Sequence, residues 1–225
     1  MAKLIVADDH PLFRNALISA ISNTFATTAT VETDCFDATV QALEQHPDAD
    51  LLLLDLHMPG NCGFLGLIQL RKTFPTMPIV VISASDDQDV IRRVMNFGAS
   101  AYVPKSAHPT EIANALHAVM AGEIWLPEKY QHLLRANPQQ HEDLDLAARI
   151  AQLTQQQYKV LYYLTEGWLN KQIAYDLHIS EATVKAHMTA IFRKLGVTNR
   201  TQVVIQAQRL QLEAPVDRDL ARQPT

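Results

Sequence analysis

The sequence predicts an α/β chain in two parts: a (βα)5 doubly wound parallel sheet, then an all-α domain of four helices built around a helix-turn-helix. Three observations carry this reading. Short, nearly continuous apolar runs alternate with helical segments five times within the first 121 residues. After residue 148 the strand-like runs cease and only helical patterns remain. The charge also changes sign. Residues 1–127 hold 7 Lys+Arg against 14 Asp+Glu, a net of −7, whereas 148–225 hold 10 against 6, a net of +4, in a chain of net charge −5.

Strands are expected at 3–7, 30–35, 50–54, 78–83 and 101–103. Runs such as Leu51-Leu52-Leu53-Leu54 and Ile79-Val80-Val81-Ile82 suit strands buried on both faces, as in a parallel sheet, rather than half-solvated antiparallel ones. Helices are expected near 11–25, 37–46, 62–74, 87–97 and 109–121. Pro11 fits a first helical turn, and Gly98 and Gly122 fit helix stops.

From 123 to 148 the chain reads as a solvated linker, with Pro127, Pro138 and the acidic Glu142-Asp143-Leu144-Asp145. Its 2 basic against 4 acidic residues over 128–147 fit that reading. The expected organisation is therefore 1–122 for the first domain, 149–213 for the helical domain, and 214–225 for a polar tail. Helices are expected near 154–166, 170–177, 181–195 and 200–211, with Gly167 and Gly196 at helix ends.

No apolar run approaches the roughly 20 residues that a membrane-spanning helix needs. The first residues lack the basic then apolar pattern of a secretory signal. A cytoplasmic protein with no membrane partner is expected. Cys35 and Cys62 have no metal-ligand or CxxC spacing and read as two thiols in a reducing compartment.

Chemistry gathers at the carboxyl ends of the strands in such a sheet. Asp8 and Asp9 end the first strand, Asp55 the third and Ser83 the fourth, and Lys105 follows the fifth. Each has an ordinary explanation alone, as a helix cap, a turn residue or a solvated lysine. Placed together at four strand ends they form an acidic crevice. Three converging carboxylates need a cation, and an oxygen donor set suits Mg²⁺, with Mn²⁺ as the alternative, rather than zinc. A metal and Lys105 can neutralise an incoming phosphoryl group while the Ser83 hydroxyl bonds the product, so the set suits phosphoryl transfer onto a carboxylate.

Asp8-Asp9, Asp55-Leu56-His57-Met58-Pro59-Gly60, Ser83-Ala84-Ser85, Phe97-Gly98-Ala99 and Tyr102-Val103-Pro104-Lys105 resemble the receiver domain of two-component response regulators over residues 3–121. The resemblance implies that Asp55 takes a phosphoryl group from a sensor histidine kinase, with Asp8, Asp9, Asp55 and the His57 backbone carbonyl around Mg²⁺. It also implies a switch in which Ser83 turns toward the phosphoryl group and Tyr102 rotates inward. Read from the residues alone, Tyr102 is a packing aromatic in an edge strand. Two features depart from the family pattern. Ser106 stands where many receivers have proline, and His57 and Ser85 are not universal where they flank the route of the hydrolytic water.

In the helical part, segments at 170–177 and 181–195 are joined by His178-Ile179-Ser180, a turn of helix-turn-helix length. Ser180 can cap the second segment. Val184, Met188, Ile191 and Leu195 recur at three- and four-residue spacing and should face the core. Thr183 is in the first turn, and Lys185, Ala186, Thr189 and Arg193 then fall on a face that a major groove can receive. Lys171, Lys194 and Arg200 can neutralise backbone phosphates. On spacing and charge alone, a helical protein-interaction module fits equally well.

Leu153-Thr154, Asn170-Lys171-Gln172-Ile173-Ala174, Ile179-Ser180, Thr183-Val184-Lys185-Ala186-His187 and Arg193-Lys194-Leu195-Gly196-Val197 resemble the LuxR-type helix-turn-helix over about 150–212. With a receiver ahead of it, the chain resembles a NarL/FixJ-type regulator. The resemblance implies base contacts by Lys185, Ala186 and Thr189, backbone contacts by Lys171 and Lys194, and dimer contacts at 201–210. It implies a regulator rather than a turnover enzyme, one that forms a homodimer on activation, binds DNA and has RNA polymerase as a further partner. One departure touches packing: Gln156, Gln157 and Lys159 stand where the family carries Arg, Glu and Glu, which removes the acid of a salt bridge bracing the recognition helix.

Other readings remain. A hydrolase working through an aspartyl-phosphate would carry a second Asp where His57 stands. A small-molecule sensor of the quorum-sensing type shares the helix-turn-helix but not the acidic crevice. A regulator active without phosphorylation keeps every group described.

Overall fold

Four consecutive leucines, Leu51 to Leu54, are each at most 1% exposed, as a strand covered on both faces requires. They form β3 (Leu51–Asp55) in a sheet with β1 (Ala2–Ala7), β2 (Thr28–Thr33), β4 (Ile79–Ser83) and β5 (Ala101–Pro104). All pairings are parallel and the order is β2-β1-β3-β4-β5. This computed structural model describes residues 2–25, 28–61, 63–134, 140–210 and 212. Contacts divide the chain into two compact units, with the boundary between Asn137 and Pro138.

The strands alternate with α1 (Pro11–Thr24), α2 (Phe36–Gln45), α3 (Phe64–Thr73), α4 (Gln88–Asn96) and α5 (Pro109–Met120). Strand order reverses between β1 and β3, because β2 is added on one side and β4 and β5 on the other. A crevice opens at such a reversal, outside the carboxyl ends of the two central strands. Core residues from the sheet, α1 and α5 pack together, among them Val6, Leu53, Ile82, Ile21 and Leu116. Each such buried side chain stabilises the fold by about 2 kcal/mol.

Boundaries shift by one or two residues, and at two of them the cause is visible. The second strand ends at Thr33 rather than residue 35, because Cys35 serves as the N-cap of α2 and accepts from Thr39 N–H. The third helix begins at Phe64 because Gly63 holds φ +58°, outside helical geometry. Cys35 is buried and outside any disulfide, and Cys62 lies outside the described residues.

The largest difference is in the stretch expected to be a linker. Trp125 bridges Ala101 at the free edge of β5, donating to the Ser100 carbonyl at 3.0 Å and accepting from Tyr102 N–H at 3.3 Å. Leu126 and Tyr130 are buried, and a 3-10 helix runs over Glu128–Leu134. The Tyr130 hydroxyl donates to the Asp86 carbonyl at 3.3 Å in the loop before α4. This strap covers an edge strand whose backbone would otherwise lack partners.

The second unit has five described helices rather than the four expected. These are α6 (Gln140–Ile150), α7 (Gln155–Thr165), α8 (Asn170–Asp176), α9 (Glu181–Leu195) and α10 (Arg200–Arg209). The extra helix, α6, buries Leu146, Ala147 and Ile150, and Arg149 donates to the Leu195 carbonyl at the end of α9. Ser180 caps α9 by accepting from Thr183 N–H at 3.1 Å, and Gly196 ends it in the left-handed conformation. His178, in the turn between α8 and α9, also holds a positive φ of 52°. The tail expected at 214–225 lies outside the described residues. No helix among the described residues is long and apolar enough to cross a membrane.

Candidate functional site

The sheet brings the expected crevice together. Asp8 follows β1 and its N–H donates to Thr33 of β2 at 3.1 Å, which fixes where its side chain begins. Asp55 closes β3. The two carboxylates are 2% and 1% exposed. Lys105 reaches both, with Nζ 2.8 Å from Asp55 Oδ2 and 2.7 Å from Asp8 Oδ2. Asp55 Oδ1 accepts from His57 N–H at 3.0 Å, and Asp8 Oδ1 from His10 N–H at 2.7 Å. Ligand atoms of Asp8, Asp9, His10 and Asp55 lie within 4.8 Å of one another.

Electrostatics show the strain of this gathering. Burial pushes the Asp9 carboxyl above its usual range; His10 opposes that, while Asp55 and Asp8 add to it. Burial acts to lower the Lys105 ammonium, but its hydrogen bonds to Asp55 and Asp8 outweigh it, and the net displacement is upward. The lysine is therefore held charged, and it sits 4.8 Å from the Phe13 ring centroid.

Ser83 is fully buried, and its Oγ accepts from Ser85 N–H at 3.3 Å. Tyr102 is fully buried as well, its hydroxyl donating to the Ser85 carbonyl. The expected inward rotation of Tyr102 thus finds the ring already inside. Ser85 joins both expected switch residues, and the Tyr130 hydroxyl bonds the next carbonyl along. The exposed His57 flanks the acidic cluster.

Sequence reasoning missed three neighbours of this crevice. His10 places Nδ1 2.7 Å from Asp9 Oδ1. Arg14 donates to the Asp8 carbonyl at 2.6 Å and pairs with Glu32. Asn61, 1% exposed, donates to the Asp55 and Leu56 carbonyls. The residue next to Asp9 was a readable signal for His10; a side chain folding back onto the backbone, as in Asn61, has none.

In the second unit α9 presents two faces. Val184, Ile191 and Leu195 are fully buried, with Met188 half-buried. Thr183, Lys185, Ala186, Thr189 and Arg193 are exposed, as is Lys171 on α8. Lys194 departs from that set. Its ammonium donates to the Gln152 carbonyl and to Gln157 Oε1, each at 2.8 Å, so it braces α9 against α7. Arg200 likewise turns inward, to the Trp168 carbonyl and Asn170.

Residues 4–117 match the family described as response regulator receiver domain, and residues 151–207 match bacterial regulatory proteins of the luxR family. The chain is a two-component response regulator of the NarL/FixJ type. The glycerol metabolism activator of Pseudomonas putida is 40% identical over 210 residues, spanning 92% of this chain and 95% of that protein. The nitrate/nitrite response regulator NarL of Escherichia coli K12 is 31% identical over 204 residues, 91% of this chain and 94% of that one. Among solved structures, RcsB from Salmonella enterica serovar Typhimurium, bound to a promoter in the presence of the phosphomimetic BeF3⁻, matches with TM-score 0.55 and 26% identity, over 93% of this chain and 98% of that one.

The response regulator is therefore a DNA-binding transcriptional regulator with a receiver domain ahead of a LuxR-type domain. Receiver domains bind Mg²⁺ at an acidic pocket, and the Asp cluster here is of that kind. The residues fit a divalent cation. Three carboxylates face one ammonium, and burial already pushes one of those carboxyls toward protonation. A dication balances the two charges left over with oxygen donors that suit it.

Proposed function

We propose that Asp55 is the phosphoacceptor of this regulator, taking its phosphoryl group from a sensor histidine kinase and thereby controlling dimerisation and DNA binding. One observation carries the reading: Asp55 is buried at the end of β3 with one carboxylate oxygen on Lys105 and the other on His57 N–H. A carboxylate so fixed is held in one orientation, as attack on phosphorus requires.

In that step a carboxylate oxygen of Asp55 bonds to phosphorus as the bond from phosphorus to the kinase imidazole breaks, and the imidazole nitrogen leaves with the electron pair. Lys105 stays on the acceptor and offsets charge on the arriving phosphoryl oxygens. Asp8, Asp9, Asp55 and the His57 carbonyl would hold Mg²⁺, or Mn²⁺ in its place, which would supply further charge neutralisation. Ser83 rotates so that its hydroxyl donates to a phosphoryl oxygen, which draws its Oγ away from Ser85 N–H. Ser85 then loses one of the two contacts that tie it to Ser83 and Tyr102, which is how charge at Asp55 reaches the β4–α4 loop. His57 occupies the place where a dehalogenase-type hydrolase carries its second acid, so the aspartyl-phosphate serves as a signal rather than a turnover intermediate.

For the output, α9 enters the major groove with Lys185, Ala186 and Thr189 toward base edges, and Thr183, Lys171 and Arg193 toward phosphates. The exposure of these side chains supports this, as does the promoter-bound RcsB neighbour. Lys194 serves as a brace in this reading. A homodimer formed through α10 reads two half-sites, RNA polymerase is the downstream partner, and the regulator works in the cytoplasm.

Labelling by acetyl phosphate with Mg²⁺, followed by footprinting on promoter DNA, tests the proposal. Labelling should vanish in Asp55→Asn, and protection of the DNA should strengthen on phosphorylation of the wild type. Equal labelling of the variant sinks the acceptor assignment.

A further inference from the structure

The chain leaves β3 at Asp55 and reaches α3 through a short loop that folds under the acceptor. Asn61 N–H closes a turn onto the Met58 carbonyl at 3.0 Å, and Phe36 N–H holds the Pro59 carbonyl at 2.9 Å. Inside this loop the Asn61 amide donates to two consecutive carbonyls, Leu56 at 2.9 Å and Asp55 at 3.3 Å. Those carbonyls come where the strand ends and the regular ladder stops. The amide nitrogen is the atom that must face them, because only it can donate.

The other side of Asn61 explains a glycine. Oδ1 is buried with no hydrogen-bond partner among the described residues. It points at Gly66 of α3, where a Cβ would lie 2.0 Å from Oδ1 and 2.8 Å from the Phe36 ring. Gly66 has no left-handed backbone to justify it. Two choices that weaken a fold therefore meet at one contact: a buried oxygen left unbonded and a glycine inside a helix. Local rules broken together beside a reacting group mark a functional constraint.

We propose that Asn61 is a positioning residue for the acceptor carboxylate. By clamping the carbonyls of residues 55 and 56, it fixes the backbone from which the Asp55 side chain projects. That keeps Oδ1 on His57 N–H and Oδ2 on Lys105. Gly66 is the space that lets the clamp close. The inference rests on the reading of Asp55 as phosphoacceptor and assigns to that site a residue that touches neither phosphoryl group nor metal.

Four full-length variants test it: Asn61→Ala, Asn61→Asp, Gly66→Ala and the double variant Asn61→Ala/Gly66→Ala. The readouts are thermal midpoint and the rate of Asp55 labelling at saturating acetyl phosphate and Mg²⁺. Asn61→Ala and Asn61→Asp should slow labelling about tenfold or more, as misplacement of a reacting group does. Gly66→Ala should lower both the midpoint and the rate. The double variant separates packing from positioning: with the clash against the Asn61 amide relieved and only the Phe36 ring left to shift, its midpoint rises above that of Gly66→Ala, while labelling stays slow. A double variant that regains rate together with stability overturns the proposal, as does wild-type labelling in Asn61→Ala. A wild-type protein labelled no more than Asp55→Asn instead overturns the acceptor reading itself.

Discussion

Lys194 of α9 and Gln157 of α7 are joined by a 2.8 Å hydrogen bond from ammonium to amide oxygen. The sequence suggested that this brace had been lost with the family's acidic residues. The structure shows it retained with a neutral acceptor. The same oxygen also accepts from Thr154 N–H at 3.2 Å, so one amide both caps α7 and holds α9. The recognition helix is thereby fixed at its basic end to α7.

Restoring the acid should strengthen the brace. Gln157→Glu keeps an oxygen for Thr154 and turns the contact with Lys194 into a charge-assisted one. The pair is partly exposed, so a gain of about 0.3–1 kcal/mol is expected rather than more. Thermal melts at low salt should show a rise in midpoint of a few degrees, and melts near 1 M salt should show it largely screened. No gain at low salt would mean that Lys194 already obtains from Gln157 all that geometry allows.

The brace also sorts the basic residues by role. An ammonium with two of its three donors engaged within its own unit is held toward Gln152 and Gln157, whereas Lys171 is exposed. Each phosphate contact contributes about 0.9 to the slope of log affinity against log salt. Lys171→Ala should therefore reduce that slope by about one, and Lys194→Ala should leave it unchanged while lowering the thermal midpoint. Binding isotherms on one promoter fragment across a salt series decide this, and a lower slope in Lys194→Ala contradicts the assignment.

The five parallel strands were legible because burial on both faces writes itself as unbroken apolar runs, and β3 and β4 are buried at every position. The crevice was legible because strand ends place Asp8, Asp55, Ser83 and Lys105 by topology alone. Features that depend on side chains meeting across the fold were not. Trp125 and Tyr130 are single aromatics without periodicity, and Pro127 between them argued for a loop. α6 begins in an acidic, glutamine-rich stretch that masked the spacing of Leu146, Ala147 and Ile150. The inward turns of Lys194 and Arg200 depend on carbonyls that any sequence supplies.

Lys105 should matter to metal binding and to transfer in opposite senses. Its hydrogen bonds to Asp55 and Asp8 keep the ammonium charged in spite of burial. Lys105→Met leaves two buried carboxylates without that partner, a loss on the order of 3 kcal/mol for a pair of this kind. With less positive charge in the crevice, Mg²⁺ should bind the variant more tightly and raise its thermal midpoint more than that of the wild type. Phosphoryl labelling should fall at the same time. A variant with weakened Mg²⁺ stabilisation would show that Lys105 organises the carboxylates instead of competing with the cation for them.

The strap along β5 sets where the first domain ends. The sequence placed that boundary at residue 122, but Trp125 adds backbone pairing to β5 while Leu126 and Tyr130 bury their side chains against the same unit. Burying two such side chains stabilises a domain by about 2 kcal/mol each, a large share of the 5–15 kcal/mol typical of a whole domain. A fragment ending at Leu134 should therefore unfold at clearly higher urea than one ending at Gly122, by roughly 4 kcal/mol of stability on the same reckoning. Tyr130→Phe in the longer fragment should lose only the hydroxyl's bond to the Asp86 carbonyl, about 1 kcal/mol, and keep the rest. If both fragments unfold together, the strap is an ornament of the sheet edge and the shorter boundary stands; if they separate as expected, the strap belongs to the first domain and is tied to its β4–α4 loop through Tyr130 and Asp86.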